Sequence, residues 1–193
     1  FLCTCLRSTR RGIYLSSCHV IVLLVEQKKD SLGLSFEFLM DGLMSKDNEI
    51  VNCSMCTFQR LIKVIRPDEG FVAKYLQGIV DIWGRKSICL MGDIMKTLFT
   101  IIYTFNECLT EENAKLFFLM ALNSLESDDS CVYTSAIFLM LQILDCAMVH
   151  GGVEYFSRLI LENNSLETIE QLAETTDGIA AESAKYILDL MDF

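Results

Sequence analysis

One apolar motif recurs five times along the chain, and this repetition restricts the fold more than any other feature of the sequence. In each copy, an isoleucine or valine is followed four residues later by a small residue and eleven later by a large apolar one. The copies are Ile13/Ser17/Leu24, Ile50/Ser54/Leu61, Ile88/Gly92/Phe99, Val132/Ala136/Ile143 and Ile179/Ser183/Leu190. Because these spacings fall on one face of a helix with about 3.6 residues per turn, each copy predicts one buried helix face.

A second apolar segment precedes each copy, so the repeating unit contains at least two helices. Residue pairs such as Phe38-Leu39 and Phe118-Leu119 open these segments, and successive pairs lie 37 to 50 residues apart. Periods of this length are typical of helical solenoids, in which each repeat buries its apolar face only against its neighbours. The sequence therefore predicts one all-α repeat domain over residues 1–193, with units at about 1–30, 31–69, 70–107, 108–150 and 151–193.

The small residue of each motif is expected to lie where two helices approach closely. These residues are Ser17, Ser54, Gly92, Ala136 and Ser183. Short acidic or glycine-containing turns should separate the two helices of a unit, as at Asp47-Asn48-Glu49 and Ser127-Asp128-Asp129. The motif begins at Phe1, without the polar outer face of a capping repeat, so we expect this chain to be the C-terminal part of a longer array.

Composition favours a soluble core-forming protein over a membrane protein. Hydrophobic residues make up 52% of the 193-residue chain, enough for a sizeable core. The apolar run Val20–Val25 is much shorter than the roughly 20 residues needed to span a bilayer. The apolar segment Ile94–Phe105 is interrupted by Lys96. Both are interpreted as buried faces of packed helices.

The reactive residue types do not form a recognisable catalytic or metal-binding pattern. The nine cysteines, in a chain without a visible secretory signal, are expected to be free thiols, mostly buried, in a reducing compartment. Cys53 and Cys56 form a C-x-x-C pair, but a zinc site needs a second pair or histidines at ligand spacing. The two histidines, His19 and His150, are isolated. The sequence therefore predicts neither an enzyme nor a cofactor.

Charge is distributed unevenly between the two halves of the chain. Residues 1–106 contain 13 basic and 10 acidic side chains, a net charge of +3, whereas residues 107–193 contain 3 basic and 16 acidic ones, a net charge of −13. Such an acidic half repels nucleic acid and anionic lipid and attracts basic proteins. It is either a solvated face or an acidic docking surface, for which the candidates are Asp128, Asp129, Glu167, Glu170 and Glu174.

The connections before the fourth and fifth units leave room for a short additional helix, at residues 110–117 and 153–163. A unit of three helices, whose third helix carries the motif, resembles the armadillo repeat. That resemblance implies a right-handed superhelix of about five stacked repeats, with the third helices lining a concave groove.

Within that group, the C-terminal end resembles importin-alpha, a family of nuclear-import adaptors. The resemblance is best over residues 118–193. It rests on a Phe-Leu-x-x-Ala-Leu helix at Phe118, the helix Tyr155-Phe156-Ser157-Arg158-Leu159-Ile160, the segment Ser165–Leu172, and a last helix that ends in an aromatic residue. Residues 1–117 match only at the level of generic armadillo units.

Members of this family bind basic peptides through a tryptophan six residues after the motif isoleucine and an asparagine ten residues after it. The corresponding positions here are His19/Leu23, Cys56/Arg60, Ile94/Leu98, Phe138/Gln142 and Lys185/Asp189, and none carries that pair. From these positions we take His19, Cys56, Arg60, Phe138, Gln142, Lys185 and Asp189 as peptide-groove candidates. The first three repeats therefore depart from the family pattern, and Arg60 would in addition repel a lysine. The last two repeats of the family ordinarily lack the pair as well.

Two functions remain open at this point. The resemblance implies a nuclear-import adaptor of the cytoplasm and nucleus, whose partners are basic cargo peptides, an importin-beta-like receptor and an export receptor. The alternative is a general armadillo scaffold without a transport role, and a more distant one is a regulatory subunit that contacts a basic protein. All three hypotheses predict protein partners. None of them predicts binding to nucleic acid, to a membrane or to a small-molecule substrate.

Overall fold

The computed structural model describes residues 5–6, 8, 10–28, 36–85, 87–175 and 178–191, except for the side chains of residues 28, 88 and 108. Regular structure in this part of the chain is entirely helical, which confirms the all-α prediction. The α-helices are α1 (Arg11–Lys28), α2 (Glu37–Leu43), α3 (Asn48–Leu61), α4 (Glu69–Trp83), α5 (Met91–Thr104), α6 (Glu111–Ser124), α7 (Ser130–His150), α8 (Val153–Glu162), α9 (Leu166–Thr175) and α10 (Ile179–Met191). Short 3-10 helices at Ile88–Leu90 and Asn106–Cys108 precede α5 and α6.

The chain divides into two compact units, Phe1–Thr104 and Phe105–Phe193. In the first unit, α3 lies at the centre and packs against α1, α2 and α5, while α4 packs against α2 and α5. Carboxylates define the starts of two of these helices: Asp47 accepts a hydrogen bond from the backbone N–H of Glu49, and Asp68 accepts one from Phe71. Both satisfy backbone donors that a helix start leaves unpaired.

The motif serine of α3 lies at a close helix contact, as the sequence predicts. Ser54 is fully buried, and its hydroxyl donates to the carbonyl oxygen of Leu39 on α2 at 2.6 Å. The same oxygen lies 3.3 Å from the hydroxyl of Tyr75 on α4, which can donate to it. A larger side chain at this position would displace α2 from α3, so the small residue sets the distance between the two helices.

The second unit is built around α7, which packs against α6, α8 and α10, and α9 packs against α10. Thr110 and Asp129 cap the starts of α6 and α7 with their side-chain oxygens. Gly151 ends α7 with a φ of 73°, a left-handed conformation that glycine adopts without strain. The last predicted unit therefore contains three helices, α8, α9 and α10.

Helix α7 is also the longest apolar helix of the described chain, which the sequence interpretation overlooked. By length and composition alone it could cross a membrane, with a mean hydropathy of 1.8 over 18 residues. Half of that window is buried inside the protein. A central core helix meets the same criteria, and α7 occupies that position in its unit.

Two sequence expectations about the helices are wrong. No separate short helix occupies residues 110–117, because α6 begins at Glu111 and continues without interruption to Ser124. The motif isoleucines Ile13 and Ile179 do not pack in the core either, and Ile179 is 68% exposed. Both lie in the first turn of their helices. The predicted close helix contact is observed at Ser54; Ser17, Ala136 and Ser183 are also buried, and Gly92 is half-buried.

Replacing Ala136 by leucine is expected to destabilise the second unit by about 1–3 kcal/mol, because Ala136 is fully buried in α7 and a leucine would overpack the site. Urea unfolding followed by circular dichroism measures this change. Tyr133→Leu, on the half-buried side of the same helix, is the control and should change stability by less than about 1 kcal/mol. Equal stability of Ala136→Leu and the wild type would contradict the packing described for α7.

Candidate functional site

The groove candidates of the first unit are exposed, but one of them is already engaged by another side chain. Arg60 on α3 forms a two-point ion pair with Glu26 on α1, with nitrogen–oxygen distances of 2.9 and 2.8 Å. The Cys56 thiol donates to the Asn52 side-chain oxygen at 3.1 Å. His19 is exposed on α1 and, seven residues before Glu26, lies on the same side of that helix. Arg60 therefore does not present an isolated positive charge.

Further polar side chains join α3 to the segment around α5. Asn52 donates to the carboxylate of Asp93, and Gln59 donates to the hydroxyl of Thr97 at 2.8 Å. Asn48 donates to Ser87 at 3.1 Å. These asparagine and glutamine side chains hold neighbouring helices together, so they would have to exchange partners before gripping a peptide backbone.

The groove candidates of the second unit lie on two helices. Phe138 and Gln142 are half-buried and one turn apart on α7, and the Gln142 amide lies 3.9 Å from the sulfur of Cys146. Lys185 and Asp189 are exposed and one turn apart on α10. A lysine and an aspartate at this spacing face the same way and partly neutralise each other's field.

The five acidic candidates are all exposed, but the structure assigns them to two places. Glu167, Glu170 and Glu174 follow one another along the exposed side of α9 and form an acidic stripe. Asp128 and Asp129 lie in the turn before α7, where Asp129 accepts a hydrogen bond from the backbone N–H of Cys131 at 2.8 Å. Asp129 thus has a capping role, and Glu167 stabilises the first turn of α9 and accepts a hydrogen bond from Gln171 at 3.5 Å.

A cleft that the sequence interpretation did not identify lies in the second unit, between the start of α6, the end of α7 and the start of α8. Its volume is about 470 Å³. Its buried floor is apolar, and Ala114, Ile143, Ala147 and Phe156 line it. At its rim lie Glu111, Val149, His150 and Tyr155. Clefts with an apolar floor and a few polar groups at the rim are the usual form of a binding site.

The electrostatics of this cleft favour a positively charged group. Glu111 contributes a full negative charge. The helix dipoles do not add to it, because the negative end of α7 is opposed by the positive ends at the starts of α6 and α8. The ring of Tyr155 already receives one cation from within the unit, because the Lys115 ammonium lies 5.9 Å from the ring centroid. Glu111 also stabilises the first turn of α6, which is its structural role.

The sequence contains only an indirect signal of this cleft. His150-Gly151-Gly152 correctly marks the end of a long helix, but the gap opens between residues about 40 positions apart, Thr110 and Gly152. Spacing patterns within one helix cannot reveal such a gap. Val149 at the rim is 80% exposed, but the apolar sequence around it does not distinguish it from a core residue.

The cysteines differ from expectation in their exposure. Cys18 is buried, Cys5, Cys53 and Cys146 are half-buried, and Cys56, Cys89 and Cys131 are exposed, so the prediction of mostly buried thiols is wrong. These seven cysteines are free thiols. Within the described residues, no group of three or more His, Cys, Asp or Glu side chains could hold a metal ion.

Comparison with known proteins adds a likeness of fold. No protein-family model matches the chain, and no curated protein matches it. A solved structure of an engineered protein, a target of the Northeast Structural Genomics Consortium, is similar over 98% of this chain and 94% of its own. The TM-score is 0.61 and the sequence identity 16%. At this identity, the likeness concerns the all-helical fold alone.

Proposed function

We propose that this chain is a helical-repeat module whose second unit binds a basic protein segment with an apolar anchor residue. The observation that carries the proposal is the cleft at the start of α6, which joins an apolar floor to the carboxylate of Glu111 at its rim. An apolar side chain would occupy the floor, and a neighbouring lysine or arginine would lie at the rim. The net charge of −13 over residues 107–193 would accelerate encounter with such a partner.

The α9 stripe of Glu167, Glu170 and Glu174 fits the same partner chemistry. It offers three exposed carboxylates along one helix, which suits further basic residues of a longer segment. In this proposal, the cleft provides the anchor and the stripe contributes electrostatic attraction. Exposed charge pairs contribute more to the association rate than to affinity, so the cleft should decide which segments bind.

We also propose a more specific form, in which the module is the C-terminal part of an armadillo superhelix and acts as a nuclear-import adaptor of the cytoplasm and nucleus. The resemblance of residues 118–193 to importin-alpha supports it, as does the three-helix arrangement of α8, α9 and α10. Cargo binding would then belong to repeats other than the first three of this chain, because those three lack the tryptophan and asparagine of the family pattern. The alternative function, a general armadillo scaffold without a transport role, would require only the binding surface of the second unit.

Binding is tested by fluorescence anisotropy with a short labelled peptide that contains lysines around one phenylalanine. We expect saturable binding that weakens at least roughly tenfold between low and high salt, because the attraction is largely electrostatic. Replacing the peptide phenylalanine by serine should weaken binding, because the apolar floor would remain empty. A peptide with glutamates in place of the lysines should not bind.

Protein variants separate the cleft from the rest of the acidic surface. Val149→Lys and Glu111→Lys should each weaken binding about tenfold or more, because they place positive charge at the rim. Leu161→Lys is the matched control, since Leu161 is an exposed apolar residue of the same unit that does not line the cleft. Unchanged binding by both rim variants would refute the cleft. Salt-resistant, submicromolar binding of a lysine-rich localisation peptide, strengthened in Arg60→Ala because that change removes a positive charge and leaves Glu26 unpaired, would instead favour cargo binding by the first unit.

A further inference from the structure

The ring of Tyr155 connects the candidate cleft to a lysine on the neighbouring helix. Tyr155 lines the cleft from the first turn of α8. The ammonium of Lys115, on α6, lies 5.9 Å from the centroid of this ring, which is within the range of a cation–π contact. Lys115 is exposed and does not itself line the cleft. A positive charge of the protein therefore already lies at a ring that the cleft offers to a partner.

The ring of Tyr155 is held more firmly than the lysine. It contacts the ring of Phe156 edge-on, with centroids 5.3 Å apart and an angle of 80° between the ring planes. Phe156 is buried, and its ring lies 4.8 Å from that of the fully buried Phe118 on α6. The Lys115 ammonium, by contrast, is carried on a flexible stem from an exposed position. The lysine is therefore the part that moves when another cation arrives at the ring.

The rim carboxylate of the cleft lies close to the same lysine along the chain. Glu111 precedes Lys115 by four residues on α6, so the two side chains extend from the same side of the helix. A glutamate four residues before a lysine is the favourable order for attraction between them. When it leaves the ring, the Lys115 ammonium can turn towards Glu111. Both groups that attract a partner's cation, the ring and the carboxylate, are thus accessible to one internal charge.

We propose that Lys115 is an internal competitor of the cleft, which occupies the Tyr155 ring in the free protein and is displaced by a basic residue of the bound partner. This inference rests on the proposed function of the cleft. The two cations cannot both lie at the ring without repelling each other, so the partner's lysine or arginine replaces the internal one. Lys115 therefore lowers the affinity of the cleft for basic segments, and any change that removes its charge raises that affinity.

The size of this competition follows from the strength of the internal contact. An exposed cation–π contact favours the occupied arrangement by a factor of about two to five. The ring is then free in roughly a third to a sixth of the molecules, and the apparent affinity for the partner is reduced by that fraction. Removing the Lys115 ammonium should therefore strengthen binding about three- to sixfold.

Fluorescence anisotropy with the labelled lysine–phenylalanine peptide measures this gain in Lys115→Met. Arg158→Met is the matched control, because it removes the same charge from an exposed residue of α8 that does not line the cleft. The control should change affinity less than about twofold, since the charge it removes is exposed. Lys115→Arg, which keeps a cation at the ring, should bind like the wild type. Equal gains in Lys115→Met and Arg158→Met would overturn the proposal, because net charge alone would then explain both.

A double-mutant cycle tests whether the lysine acts through the ring. In a Tyr155→Leu background, adding Lys115→Met should strengthen binding no more than Arg158→Met does in the wild type, because no ring remains to be freed. A gain of about three- to sixfold that persists without the ring would show that Lys115 acts through its charge alone, and the proposal would be wrong.

NMR without peptide separates this proposal from the proposed function. Lysines are dimethylated with ¹³C-formaldehyde, which preserves their charge, and the Lys115 signal is the one missing in Lys115→Arg. We expect it to shift in Tyr155→Leu, because the ring current is lost, while the signal of Lys185 on α10 stays. An unchanged Lys115 signal would overturn the internal contact whatever the peptide does. If the signal shifts but Glu111→Lys leaves peptide binding unaltered, the proposed function fails, and the competition fails with it.

Discussion

Replacing Phe58 by alanine is expected to reduce the free energy of unfolding of the first unit by about 3–5 kcal/mol. Phe58 is fully buried on α3, and its ring centroid lies 4.1 Å from that of Tyr75 and 5.9 Å from that of Phe71 on α4. The ring of Phe36 adds an edge contact at 6.1 Å. Alanine would leave a cavity among side chains that cannot collapse into it, because Tyr75 is held by its hydrogen bond with Ser54.

The measurement is urea unfolding followed by the fluorescence of Trp83, the only tryptophan, which ends α4 in the same unit. The control is Tyr103→Ala on α5, where the ring stacks on Phe99 but is 71% exposed. That change should cost less than about 1 kcal/mol. Similar losses in Phe58→Ala and Tyr103→Ala would mean that the aromatic cluster around Phe58 is not the core of the unit.

The helical fold could be predicted from the sequence because its signals are local. Motif spacing identifies the buried face of α3, where Ile50, Ser54 and Leu61 all lie in the core. Polar residues at the turns identify helix starts, as Asp47 does by capping α3. The same spacing failed at Ile13 and Ile179, because burial at a helix end depends on how far the neighbouring helices extend. A periodic pattern contains no information about that length.

The candidate sites could be predicted less well because they depend on contacts between helices. Sequence alignment to a groove pattern placed Arg60 at a peptide-contact position but could not show that Glu26 pairs with it. The rim of the cleft joins Glu111 to His150 across a distance along the chain that no motif spans. Net charge did identify the acidic half, since charge is additive along a sequence and needs no contact information.

Replacing Gly42 by alanine is expected to destabilise the first unit by about 2–3 kcal/mol, near the upper end of the usual cost of overpacking. In most helices this change would be favourable, because glycine is roughly 1 kcal/mol less stable than alanine in a helix interior. At Gly42, however, an added Cβ would overlap the Tyr14 hydroxyl and lie 2.6 Å from Tyr14 Cζ and 3.1 Å from Ser54 Cβ. Tyr14 is 2% exposed, and its hydroxyl donates to the Phe38 carbonyl at 3.3 Å, so the ring cannot move aside.

Gly12→Ala is the matched control for this change. Gly12 is an exposed glycine in the first turn of α1, and an added Cβ there would meet nothing within 4 Å, so alanine should be neutral or stabilising by up to about 1 kcal/mol. The double variant Tyr14→Phe/Gly42→Ala should be less destabilised than the two single changes added together, because Tyr14→Phe removes the nearest clashing atom. Urea unfolding monitored by Trp83 fluorescence measures all four proteins. If both glycine variants gained stability, the ring of Tyr14 would not lie against Gly42 as the structure describes.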